Sequence, residues 1–247
     1  MKFFTLDLKR LSFLILLLLL VGCSMISVVK RIEFDKTANN HIKTIALLRI
    51  DEPTRISVVS GEIPAGALFG AVGVGVKAAS VKKRSSAFRQ ALNEHHIQFA
   101  PAMVEELQQE LAKKGYRFTY LQNQSLMDAV DGNTFDLSKL QTDADAILFV
   151  EIFGVGYYSQ QKRYRPLVNV QVRLFDARSN MLIYCKGIIV QIPNENNGDS
   201  SNNDIIFPDE DYYYDSIDAL MSNIDEAARG LLDCQSKIAV RIADQLK

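Results

Sequence analysis

Histidine and cysteine are scarce in this chain, and basic charge is not in excess. Three His and three Cys occur among 247 residues, and 28 Lys and Arg stand against 29 Asp and Glu. Without surplus cations to neutralise phosphates, nucleic acid is not indicated as a partner. There is no His-Glu-x-x-His and no Cys-x-x-Cys. His41 is isolated, and the adjacent His95 and His96 would point about 100° apart on a helix, so no metal site is read. No Gly-x-Ser-x-Gly presents a nucleophile. The stretch "GVGVKA" (73–78) lacks the third glycine of a dinucleotide loop and the Gly-Lys-Ser/Thr of a phosphate loop. "DEDYYYDSID" (209–218) lacks the residue order of a calcium loop and reads as a solvated cap, with Asp215 or Ser216 as N-cap of the following helix. Glu151 sits alone in an apolar run, on a wetter face with Phe149 and Phe153, without a sequence partner for acid–base work. The expectation is a protein that is not an enzyme and needs no cofactor. An enzyme whose groups meet only on folding stays open as an alternative.

What the chain does have begins at its start. Lys2, Lys9 and Arg10 precede an uncharged run from Leu11 to Val21, which ends in Gly22 and Cys23. A basic segment, a short apolar core and a small residue before a cut describe an export signal. "LVGC" resembles the lipobox of bacterial lipoproteins. That resemblance implies a signal peptide over 1–22, with Leu20, Val21 and Gly22 read by the peptidase. Cys23 would then carry covalent lipid (palmitate-type acyl chains) as the mature first residue. Two or more chains hold a protein durably on a bilayer, at roughly 0.8 kcal/mol per buried methylene. Ser24 in place of Asp implies the outer membrane. Leu11 to Val29 is also nineteen residues without a charge, near the ~20 of a spanning helix, so an uncleaved anchor remains the competing reading.

With residues 1–22 removed, 25 basic and 28 acidic residues remain, a net of −3. Residues 23–42 read as a lipid-anchored tether, and 43–247 as a single periplasmic α/β domain. "KTIALLRI" (43–50) is the first strand and "TRISVVS" (54–60) a weaker one. Helices follow over 85–96 and 101–115, the second with Pro101 in its first turn and Gly115 at its end. "YRFTYL" (116–121) is a strand, and 134–141 a short helix capped by Thr134 or Asp136. Then come strands at 144–159, 166–177 and 181–192. The second alternates strictly, with Val168, Val170, Val172 and Leu174 on one face. Residues 193–211 read as a mobile polar loop. From Asp215 a single long helix carries Ile217, Leu220, Ile224, Leu231, Ile238 and Ile242 as one stripe. The expected class is α/β (α+β). A mixed sheet ends in an antiparallel three-stranded meander, helices pack on one face, and a long C-terminal helix completes the fold.

"KTIALLRI", "DADAILFVEI" and "VQVRLFDARSNMLIY" resemble the periplasmic domain of the curli-secretion lipoprotein CsgG and the N-terminal domain of TolB. The closing hairpin motif of that group falls on Asp176, Ser179 and Leu182. The resemblance implies an envelope role and, as an alternative, a CsgG-like oligomeric secretion channel, although no pair of long amphipathic membrane strands is present.

Two further features stand out. The segment 61–81 holds rows of small residues, Gly66 and Gly70 in one and Ala67, Ala71, Gly75 and Ala79 in the other. On a helix such rows admit a second backbone, either of this domain's own sheet, of another copy or partner, or of a lipid-facing contact. Cys185 is expected beside Met181, Ile183 and Ile189 on one strand face, and Cys234 between Leu231 and Ile238 on the helix stripe. Both would point into one interface, as a disulfide or as two buried thiols. The expected function is a non-enzymatic, lipid-anchored accessory or assembly subunit of an outer-membrane complex, facing the periplasm and contacting an envelope protein or itself.

Overall fold

Alternation in the sequence becomes a seven-stranded sheet because each inward valine or leucine finds a helix above it. The computed structural model describes residues 31–60, 75–131, 134–160, 163–190 and 203–247. The lipobox residues Leu20, Val21, Gly22 and Cys23, and Gly66, Ala67, Gly70 and Ala71 of the small-residue rows, lie outside them.

The first strands are β1 (Thr44–Leu48) and β2 (Ile56–Ser60). Helices α1 (Gly75–Glu94) and α2 (Phe99–Lys113) lead into β3 (Arg117–Leu121). A small ladder of β4 (Val130–Asp131) and β5 (Thr134–Phe135) precedes β6 (Ala146–Gln160), β7 (Arg163–Asp176) and β8 (Met181–Val190). The chain closes with β9 (Asn203–Ile206), α3 (Ile217–Ser222) and α4 (Ile224–Gln245). Strand order is β3-β1-β6-β7-β8-β9, with β2 also paired to β6. The β6–β7–β8 meander is antiparallel, and β1, β2, β3 and β9 pair in parallel.

Phe88 and Leu92 of α1, Met103, Leu107 and Leu111 of α2, and Leu231, Ile238 and Ile242 of α4 are buried. They share one core with Val150, Val168, Val170, Val172 and Leu174. Burying side chains of this size stabilises the fold by about 1.5–3 kcal/mol each. The other sheet face carries a smaller cluster, in which Leu126, Leu137 and Leu140 lie over Ala46, Leu48, Ile147 and Phe175. Two glycines permit close approaches. A Cβ at Gly156 would sit 1.8 Å from the Ser57 carbonyl oxygen of β2, and one at Gly230 of α4 would strike Tyr212 and the Tyr157 hydroxyl.

Several boundaries differ from the sequence reading. The helix expected at 85–96 starts at Gly75, so Gly75 and Ala79 belong to α1. The single C-terminal helix breaks at Asn223, whose φ of −124° and ψ of 48° leave the helical region. Ser216 caps α3 by accepting the Ala219 N–H at 3.0 Å. Part of the 193–211 loop is strand β9, because Ile188–Val190 offer a free edge to Asp204–Ile206. Residues 31–42, expected as part of a tether, belong to the body, and residues 23–30 lie outside the described residues. Ile32 exchanges both backbone hydrogen bonds with Cys185 at 2.9 Å, Phe34 packs against the core and Ile42 is buried.

Candidate functional site: an open sheet face and a clamped chain entry

Helices pack on one sheet face, and among the described residues the opposite face carries a smaller cover at one end, around Leu126, Leu137 and Leu140. On the open part, Phe149, Glu151 and Phe153 of β6 and Arg173 of β7 line a cleft of about 460 Å³. The loop after β1 and the turn at 125–127 form its walls. The guanidinium of Arg173 lies 5.7 Å from the centre of the Phe149 ring, a cation–π contact. Burial raises the Glu151 carboxyl above its ordinary value, Arg173 works against that and Asp51 adds to it. Arg49 and Asp51 pair at 3.0 Å on the rim. A bulge between Ile152 and Gly154 lets Phe153 stand out, and Met127 is exposed across from it. The cleft therefore brings together the carboxyls of Asp51, Glu52 and Glu151, a stacked cationic and aromatic pair and apolar rim residues.

The second site is where the chain enters the fold. Lys186 occupies an inward position of β8 between Tyr184 and Ile188 and is only 3% exposed. Its ammonium meets Glu33 at 2.8 Å and Asp204 at 3.5 Å. Asp204 also faces Arg31 at 3.4 Å and Arg241 at 3.7 Å, and accepts a hydrogen bond from the Gln245 amide. Gln245 in turn accepts from the Tyr184 hydroxyl at 2.5 Å. The hydrogen bond from Lys186 holds the Glu33 carboxyl below its usual range, against its slight burial and with help from Arg31. Buried cations are costly unless paired, and here the charges come from three segments, residues 31–33, the β8–β9 pair and α4, with Asp204 facing all three.

No family model matches the sequence, and no curated protein does. Among solved structures the chain is similar to the hypothetical protein CT253 of Chlamydia trachomatis, with 14% identity, 83% of this chain and 98% of that one covered, and a TM-score of 0.40. It is similar to PelC of Paraburkholderia phytofirmans, there a dodecamer, with 9% identity, 88% and 94% covered, and a TM-score of 0.36. Lipoprotein GNA1162 of Neisseria meningitidis is 14% identical over 64% of this chain and 88% of that one, with a TM-score of 0.26. At these scores the likenesses carry nothing about activity, ligand or partner. No helix among the described residues is long and apolar enough to cross a membrane.

The two cysteines correct an expectation. Cys185 and Cys234 are both free and buried. Cys185 stands directly opposite Arg173 in the ladder and accepts a hydrogen bond from Gln171 at 3.3 Å, so it lies on the open face. Cys234 lies in the core on the helix-covered face. Alternation on β8 decides this: Tyr184 and Lys186 point toward the helices, which turns Cys185 the other way. The sheet separates the sulfurs, and the shared interface does not form. Burial pushes both thiols up, Cys234 most. His41 pairs with Asp176 at 2.9 Å and His95 with Asp225, and none of the four lines the cleft. The residues that sequence reasoning missed are Lys186 and Asp204. The available signal was one lysine at an inward position of an otherwise apolar strand, which demands a buried acid.

Proposed function

We propose that this protein is a lipid-anchored, non-enzymatic protein of the bacterial envelope. Acyl chains on Cys23 hold it at the periplasmic face of the outer membrane, where it serves as an assembly or accessory subunit and binds an envelope protein through its open sheet face. The observation that carries this reading is "LVGC" at the end of an apolar run in the sequence, eight residues before Arg31. A cysteine in that place is the one atom set that converts an export signal into an anchor. The cleft beside Arg173 and Phe149 supports the binding role, since stacked cationic and aromatic groups ringed by apolar residues are what interfaces concentrate.

Intact-mass measurement of membrane-extracted protein tests the anchor. The wild type is expected to begin at Cys23 with a diacylglycerol thioether and an N-acyl chain, and Cys23→Ser to keep Met1 and carry no lipid. A wild type that begins at Met1 without lipid mass would end the reading. In detergent, a monomer or small oligomer is expected, and a large ring would instead favour a CsgG-like channel.

A further inference from the structure

We propose that the outer edge of β3, together with the groove between that edge and α2, is a docking site for an extended segment of a partner protein that presents a basic residue beside an apolar one. The loop after β1 lines both this groove and the open-face cleft, but β3 and α2 contribute to this one alone.

Backbone groups call for a strand. Arg117 donates its N–H to the Lys43 carbonyl at 2.9 Å, and Arg117–Leu121 run in parallel register with Thr44–Leu48. Alternation then turns the N–H and C=O groups of Arg117, Thr119 and Leu121 toward β1, and those of Phe118 and Tyr120 outward. Among the described residues β3 pairs only with β1, and no hydrogen bond reaches the outward groups. Such a row of donors and acceptors is met in full by another extended chain, which adds to the sheet as a further strand.

Side chains decide what that chain carries. Phe118 and Tyr120 are half-buried and pack against the core on the helix-covered face. Residues of an added strand directly opposite them point to the same side, toward α2. There a groove of about 660 Å³ is lined by Tyr120, Gln122, Pro101, Val104, Glu105 and Gln108. Val104 and Tyr120 offer apolar surface. Glu105 is exposed and, among the described residues, meets only the Gln109 amide, at 3.4 Å. The other acids of the groove are engaged. Asp51 pairs with Arg49 at 3.0 Å, and Glu52 accepts the N–H groups of Phe99 and Ala100 at 3.1 and 2.9 Å. Glu105 is thus the charge left for an incoming chain. A lysine or arginine two residues from an apolar side chain lies on the same face of that chain and reaches Glu105, with its stem along Tyr120.

The experiment follows hydrogen exchange at single amides of the full-length protein, alone and with millimolar acetyl-Thr-Val-Thr-Lys-Thr-Val-Thr-Lys-amide as the probe. Alone, the Phe118 and Tyr120 amides are expected to exchange many-fold faster than those of Thr119 and Leu121. Slow exchange there at every protein concentration would mean that the chain covers its own edge. Slowing that grows with protein concentration would make a second copy the occupant. Either result overturns the proposal. With the peptide, exchange at Phe118 and Tyr120 is expected to slow several-fold, and less so with a peptide carrying Glu in place of Lys. In Glu105→Lys that order is expected to reverse. No slowing by the peptide overturns the site, and equal slowing by the two peptides overturns the choice of a basic partner. Peptides N-methylated at alternate backbone nitrogens, made in both phases, read the pairing itself. One phase is expected to lose its effect, and an undiminished effect in both would rule out strand addition.

Discussion

Two carboxylates at one end of the sheet show how much single residues hold in this fold. Asp145 accepts the N–H groups of Lys43 and Thr44 at 2.9 and 3.0 Å, the Thr44 hydroxyl at 2.9 Å and the Arg178 guanidinium at 3.2 Å. Asp176 accepts the N–H groups of Arg178 and Ser179, at 2.7 and 3.1 Å, and pairs with His41. They tie the start of β1 to the start of β6 and to the β7–β8 turn. Burial works to raise both carboxyls, but the donors outweigh it and hold them below their ordinary range. A carboxyl with a lowered folded value stabilises the fold fully above its unfolded value, and that stability is lost as pH falls through the folded one. Asp145→Asn is therefore expected to lower stability at neutral pH by about 2 kcal/mol, the scale of charged hydrogen bonds. The gap to wild type should close as pH falls from about 5 toward 2. Urea midpoints across that range check it, and a gap that stays constant with pH would assign the loss to packing instead.

At the scale of elements, the sheet solves an edge problem at β2. Among the described residues this strand pairs only with β6, and its outer side faces α1. Side chains take the place of a strand. Ser85 accepts the Val58 N–H at 2.9 Å, Arg89 donates to the Thr54 carbonyl at 2.9 Å, and Arg84 donates to the Ser60 hydroxyl. Open edges invite pairing with other chains, and this cover closes one with polar side chains of a helix. Val58 is fully buried, so Ser85→Ala leaves its N–H without a partner. The expected cost is about 1–3 kcal/mol, read as a lower urea midpoint together with faster hydrogen exchange at the Val58 amide. Unchanged exchange at that amide would show that water substitutes for the hydroxyl. None of this edge arrangement was legible in the sequence. The alternating valines of β7 declared a half-buried strand, and the stripe from Ile224 to Ile242 declared α4, because burial on one face leaves a period. The pairing of β2 leaves no period, since it depends on β6 being long enough to hold β1 and β2 end to end. Likewise, the break at Asn223 hides within a continuous stripe, because Leu220 and Ile224 are buried on both sides of it. The parallel strand β9 sits in a stretch whose Asn, Asp and Ser content reads as loop, and only the free edge of β8 makes it a strand.

For the whole molecule, the proposed acylation of Cys23 raises the question of how force on an anchor would reach the body. The sheet is one unit from β3 to β9, and the entering chain joins it at residues 31–33 rather than at the first strand. A pull transmitted to Arg31 would be borne first by the Ile32–Cys185 pair and by the charges around Asp204. Asp204 is the centre of this arrangement, shared by Arg31, Lys186 and Arg241, with Gln245 as a fourth donor. Asp204→Ala removes the acid and leaves Lys186 buried against Glu33 alone, a change of the kind that costs about 3–5 kcal/mol where a buried pair loses one member. Part of that cost is relieved locally when residues 31–33 peel off and let water reach the ammonium, and the remaining core on the helix-covered face stays intact. The variant is thus expected to expose Arg31 before it unfolds globally. Trypsin acting on vesicle-bound protein should then shed the soluble body several-fold faster than from wild type, under conditions where circular dichroism still reports a folded sheet. Equal shedding rates would mean that the backbone pair at Ile32 holds the chain entry without the charges, and the clamp would lose its mechanical role.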